Sequence, residues 1–246
     1  MKKIMTSFFM AWGMFCSIPC PLKWWDKTLY RGMLLAMPFI GLLIGMIWAA
    51  AAWLLGCIGA PTLVCAAILA VLPWVLTGFI HLDGYMDCAD AILSRRDLAT
   101  RRKILKDPHT GSFAVICMVI LAMTSFALLG ELDLESRWPG LVFIPAISRC
   151  CSAAAVLGLE PLETSSYSGL DNTRSSTIAA IVMAIVFAAL PAVLLWPFGL
   201  CGIMTCAGSC LTIAYCRHDL GGMSGDISGA AVTMGELCGI AALVLI

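Results

Sequence analysis

The chain has 246 residues, 61% of them hydrophobic and only 12% charged, and its mean hydropathy is +0.96. A soluble domain carries about 25% charged residues, so this composition excludes a soluble globular protein and indicates an integral membrane protein. Fifteen Lys and Arg balance fifteen Asp and Glu, and a net charge of zero gives no ground for nucleic-acid binding.

Residues 4–20 are apolar but interrupted by Gly13 and Pro19. They predict an interfacial or half-inserted helix, and the Trp24-Trp25 pair fits a membrane interface better than a cleaved signal peptide. The first span is predicted over about 33–57, with Gly41 and Gly45 at a small-xxx-small spacing that lets helices approach closely. After the Gly59-Ala60-Pro61 turn, a second span over about 62–80 runs into an acidic segment. Residues 94–107 are the most charged of the chain, and the acidic helix is expected to continue through much of them until Pro108 stops it. Further spans are expected over about 113–129, 141–159, 177–195, 198–215 and 229–246. They are separated by an acidic loop at 131–135, a polar loop at 160–174, a turn at Trp196-Pro197 and a glycine-rich loop at 217–226.

The expected fold is therefore all-α: a polytopic membrane helix bundle of about seven spans plus an N-terminal interfacial helix, forming one membrane domain over residues 1–246. No internal repeat is visible. The thirteen cysteines lack a CxxC spacing, and most lie in apolar runs as small apolar residues. With the N-terminus in the cytoplasm, all Lys and Arg fall inside except Arg137, outside, and Arg149, within a span. That satisfies the positive-inside rule. It also puts the acidic segment, residues 94–112, the 160–174 loop and the glycine-rich loop on one cytoplasmic face.

The acidic segment reads His81-Leu82-Asp83-Gly84-Tyr85-Met86-Asp87-Cys88-Ala89-Asp90. On a helix Asp83, Asp87 and Asp90 share a fan roughly 60° wide. Three like charges on one stripe suit a hard cation such as Mg²⁺, held by carboxylates together with substrate phosphates. A solvated helix start favoured by the helix dipole is the alternative, better for Asp83 than for Asp90. Asp97 joins the stripe if the helix stays regular. His81 is open to three roles: ligand, general base or helix cap. The loop Gly221-Gly222-Met223-Ser224-Gly225-Asp226 precedes a helix, where backbone N–H groups can cradle phosphate. A flexible turn is the alternative. Lys106, with Arg95, Arg96, Arg101 and Arg102, either neutralises a polyanionic substrate or anchors the chain at the membrane surface. Arg149 and Glu236 are ionisable groups within spans, functional by default or paired for structure.

Taken together, these motifs resemble the cobalamin synthase family, adenosylcobinamide-GDP ribazoletransferase. Its pattern is His-Leu-Asp-Gly-x-x-Asp-x-x-Asp, then Lys-Asp-x-x-x-Gly-Ser-Phe, then Gly-Gly-x-(Thr/Ser)-Gly-Asp. This chain carries His81 to Asp90, Lys106-Asp107 with Gly111-Ser112-Phe113, and Gly221 to Asp226, and Pro145 to Arg149 looks like a further element. It departs where the family often has Thr-Arg-x-Pro and this chain reads Cys16-Ser17-Ile18-Pro19, and at Cys88, where threonine is usual.

The resemblance implies that α-ribazole or its 5′-phosphate attacks the cobinamide-linked phosphate of adenosylcobinamide-GDP and that GMP leaves. Asp83, Asp87 and Asp90 would hold Mg²⁺. Lys106, His81 and Asp226 would be catalytic, with His81 or Asp226 taking the hydroxyl proton. Gly221, Gly222, Ser224, Gly225, Arg95 and Arg149 would bind the substrate. The expected setting is the cell inner membrane, in contact with lipid, with homo-oligomerisation open. Two other readings are weaker. A CDP-alcohol phosphotransferase motif would need Asp where Ile80 stands, and an ion-coupled transporter would place acids mid-span and show a repeat.

Overall fold

The computed structural model describes residues 2–163, 165, 167, 174–194, 196 and 198–246. Parts of the 160–174 loop and the turn at Pro197 therefore lie outside the described residues. Ten α-helices are described: α1 (Lys2–Phe15), α2 (Tyr30–Cys57), α3 (Thr62–Leu76), α4 (Ile80–Leu93), α5 (Leu98–Ile104), α6 (Ser112–Gly130), α7 (Ile144–Gly158), α8 (Arg174–Leu194), α9 (Gly199–Leu220) and α10 (Gly225–Leu245). Helices α2, α6, α7 (with the 3₁₀ turn before it), α8, α9 and α10 are long and apolar enough to cross a membrane, and α3 with α4 forms a pair bent by 93°. This is the all-helical membrane bundle that the hydropathy predicts.

Lipid is as apolar as leucine, so helices in a membrane associate through close packing rather than through the hydrophobic effect. Gly41 and Gly45 of α2 show how. A Cβ on Gly41 would strike the Pro145 carbonyl, and one on Gly45 would strike the Val142 carbonyl, so the backbone of the α7 segment lies directly on this stripe. The Trp48 Nε1–H donates to the Leu69 carbonyl at 2.9 Å and fixes α2 against α3. The N-terminal helix α1 buries Met10, Ala11 and Phe15 against the bundle.

The second span differs from its expected course. Helix α3 is only about 22 Å long at 1.5 Å per residue, short of the roughly 30 Å hydrocarbon core. The Thr77 hydroxyl donates to the Pro73 and Trp74 carbonyls, and Gly78 and Phe79 take left-handed φ of 60° and 63°. Helix α4 then leaves the spanning direction and crosses the bundle end, packing on α10 and α6. Ser17 clamps the break, its N–H donating to Leu76 O at 2.8 Å and its hydroxyl to Val75 O at 2.7 Å.

The acidic helix also stops earlier than expected. Arg95 takes a left-handed φ of 52°, and Asp97 caps α5 by accepting from the Thr100 N–H at 3.1 Å. Asp97 therefore leaves the stripe, because its carboxylate is worth more as an N-cap than in a continued helix.

Candidate active site

The site grows from the crossing of α4 and α10. A Cβ on Gly84 would lie 2.7 Å from the Asp226 carbonyl oxygen, and one on Gly229 would lie 2.8 Å from the His81 carbonyl oxygen. Each helix thus offers a glycine to the other's backbone. The Thr233 hydroxyl adds a bond to the His81 carbonyl at 3.2 Å. This close crossing sets Asp226 beside the acidic stripe.

Lys106, just after α5, reaches the same point. Its Nζ lies 3.1 Å from Asp226 Oδ2. Asp226 also accepts from the Ser224 hydroxyl at 3.3 Å, and Ser224 caps α10 by accepting from the Ile227 N–H at 3.3 Å. The Asp90 carboxylate abuts Gly111 at the start of α6, where any Cβ would strike it. Segments around residues 81–90, 106–111 and 221–226, far apart in sequence, therefore meet at one end of the bundle.

Asp87 records the electrostatics of this meeting. Burial, then the neighbouring Asp83 and Asp226 charges, push its carboxyl up from 3.8 to about 6, and Lys106 only partly offsets them. Carboxylates crowded in this way are a cation-seeking set, and their oxygens suit a hard ion. Among the described residues no three Asp, Glu, His or Cys side chains already converge on a single point suited to an ion. Asp83 is exposed and borders a cavity of about 480 Å³ that Cys16, Ser17 and the Thr77–Ile80 break also line.

The glycine loop is strapped rather than loose. Gly221 ends α9 with a left-handed φ of 80°, and its carbonyl accepts from Arg102 Nη2 at 3.2 Å. Arg102 Nε donates to Leu220 O at 2.9 Å, and Arg101 pairs with Asp219 at 3.0 Å. The Met223 N–H donates to Glu160 O, and the Leu162 N–H to Met223 O, both at 2.8 Å. A Cβ on Gly222 would lie 2.9 Å from the Leu162 side chain. These ties hold Gly225 and the start of α10 in place, with helix-start N–H groups suited to an anion.

Three expected site residues lie apart from this cluster. His81 is buried, its ring stacked on Phe15 with centroids 5.9 Å apart, and its Nε2 has no hydrogen-bond partner among the described residues. Arg149 is fully buried, with Nη1 on Glu236 at 2.6 Å and on the Pro145 carbonyl at 2.9 Å, so the structure pairs it with Glu236. Arg95 is exposed at the break after α4. Sequence reasoning missed the helix-packing roles of Gly84, Gly111 and Gly229. Their places inside or beside the motifs were the available signal.

The family profile described as cobalamin-5-phosphate synthase matches residues 7–244. The adenosylcobinamide-GDP ribazoletransferase of Clostridium perfringens (strain SM101) is 31% identical over the whole of both chains. The protein of that name from Clostridium botulinum (strain Alaska E43) is 32% identical over 98% of this chain and 97% of its own. The one from Thiobacillus denitrificans is 33% identical over 94% and 92%. No solved structure matches.

Proposed function

Because this chain belongs to the cobalamin-5-phosphate synthase family, we propose that it is an adenosylcobinamide-GDP ribazoletransferase of cobalamin biosynthesis. It joins α-ribazole or its 5′-phosphate to adenosylcobinamide-GDP and releases GMP. One observation carries the assignment of the site: Lys106 meets Asp226 at 3.1 Å on the crossing of α4 and α10, so that all three motif segments meet at one end of the bundle.

In this reading the ribazole hydroxyl forms a new P–O bond to the cobinamide-linked phosphorus. The bridging P–O bond to GMP breaks, and the hydroxyl proton passes to a protein carboxylate. Asp226 takes that proton, since it is only partly buried and is held in position by Lys106 and Ser224. His81, closed in behind Phe15, supports the break between α3 and α4. Lys106 and the helix-start N–H groups after Ser224 balance charge on the transferring phosphoryl group and on departing GMP. Asp83, Asp87 and Asp90 would hold Mg²⁺, which when bound neutralises pyrophosphate charge and orients it for displacement. Gly221, Gly222 and Gly225 bring backbone close to the nucleotide, and exposed Arg95 offers it a further cation.

We place this end of the bundle in the cytoplasm, because that orientation leaves only Arg137 outside. The whole chain acts as one membrane domain. The test is product analysis. Purified protein in liposomes, given adenosylcobinamide-GDP and α-ribazole 5′-phosphate, is expected to yield GMP and a cobamide phosphate in equal amounts. GMP without the joined cobamide would overturn the transfer reaction.

A further inference from the structure

A second feature lies along α7, α8 and α9. Helices α7, α8 and α9 enclose a groove of about 870 Å³. Its walls are small and apolar, with Ala184, Ala188 and Ile203 among them, and its lining includes exposed Ile181 and Ile185. From Gly199 to Arg217 it follows 19 residues of α9, whose 18 steps rise about 27 Å at 1.5 Å per residue, close to the roughly 30 Å hydrocarbon core. The groove is thus a membrane-deep channel along the lipid-facing side.

Its two ends differ in charge. At Gly199 the lining is wholly apolar. At the other end it reaches Ala214 and Arg217, which also line a recess of about 410 Å³ together with Glu160, His218, Gly221 and Gly222. Arg217 is exposed and makes no ion pair among the described residues. The nearby Asp219 is already held by Arg101 at 3.0 Å and by His218 at 3.0 Å. Among the described residues Glu160 is the one acid in the recess lining.

We propose that this groove is a binding site for one anionic phospholipid, with an acyl chain along α8 and α9 and the headgroup phosphate on Arg217. The assignment rests on matched charge and length. A membrane-deep apolar trough with a cation at one end has the polarity of a phospholipid. An arginine beside the surface favours an anionic headgroup over a zwitterionic one. The groove itself runs along α7, α8 and α9, apart from the α4–α10 crossing, and only the recess at its Arg217 end borders Gly221 and Gly222 of the glycine loop.

The full-length protein, purified in detergent, is exposed to equal mole fractions of phosphatidylglycerol and phosphatidylcholine, and lipid retention is read by native mass spectrometry. The wild type should retain one phosphatidylglycerol per chain, preferred about fivefold over phosphatidylcholine. Arg217→Gln should abolish the preference, and Arg217→Lys should restore most of it. Ala188→Phe, which fills the trough, should lose bound lipid of both kinds, with its melting temperature measured beside it to show that it is folded. Equal retention of the two lipids by the wild type would overturn the proposal. So would an unchanged preference in Arg217→Gln, displacement of phosphatidylglycerol by millimolar inorganic phosphate, or a lipid-free dimer that covers the groove.

Discussion

Replacing Gly84 by alanine tests the helix crossing directly. The new Cβ would meet the Asp226 carbonyl oxygen at 2.7 Å and its Cα at 2.9 Å, both backbone atoms with no side-chain freedom to retreat. Ordinary contact begins near 3.4 Å, so α4 and α10 must part by roughly 0.7 Å. Overpacking of this kind costs about 1–3 kcal/mol. The same displacement moves Asp226 and Lys106 away from the acidic stripe, and a 1 Å misplacement of reacting groups can cost about 10²-fold in rate. Gly13→Ala is the matched control, because nothing lies within 4 Å of its Cβ position. Melting temperature in detergent and the rate of GMP release are both measured. Gly84→Ala should melt lower and lose on the order of 10–100-fold in kcat/KM, while Gly13→Ala matches the wild type. A Gly84→Ala protein with wild-type stability and rate would refute the close crossing.

Other outcomes follow from the same geometry. Lys106→Ala breaks a partly exposed pair, so stability should change by less than about 1 kcal/mol while GMP release falls by about 10²-fold or more. Arg149→Met leaves Glu236 buried without its partner and should destabilise by about 3–5 kcal/mol in thermal unfolding, whereas Arg149→Met/Glu236→Leu should recover most of that loss. The folded Asp87 carboxyl is raised to about 6 from 3.8, so the folded state binds its proton more tightly than the unfolded chain does. Its contribution to stability is therefore fully present below about 3.8 and is lost as pH rises through about 6. Without divalent ions, Asp87→Asn should melt at or above the wild type at pH 8, with the advantage shrinking as pH falls towards 4. Parallel melting profiles across that range would contradict the crowding of carboxylates at Asp87.

The acidic helix was legible because i, i+4 and i+7 spacing is a local property of the chain. The long spans were legible because lipid demands uninterrupted apolar length. The 93° break was not, since Thr77, Gly78 and Phe79 read as the ordinary end of a span. What makes the break is Thr77 bonding backward along α3 and Ser17 clamping from 58 residues away in sequence. Arg95 and Asp97 looked like continuations of a charged helix, yet one backbone conformation and one cap divide it. Arg149 and Glu236 were visible separately as costly charges. Their pairing is a fact of α7 packing on α10, which no local pattern encodes. The same holds for Gly84 and Gly229, which serve a contact between helices rather than a ligand.

Joint action of the α4 and α10 carboxylates in metal-assisted phosphoryl transfer is the step on which the proposed reaction turns. The most direct measurement follows GMP release from adenosylcobinamide-GDP and α-ribazole 5′-phosphate by metal-stripped protein before and after Mg²⁺ is added, with Asp87→Asn and Asp226→Asn alongside. The wild type should release GMP only once Mg²⁺ is present, and either variant almost none. Release unaffected by metal stripping, or wild-type rates in both variants, would contradict that joint action.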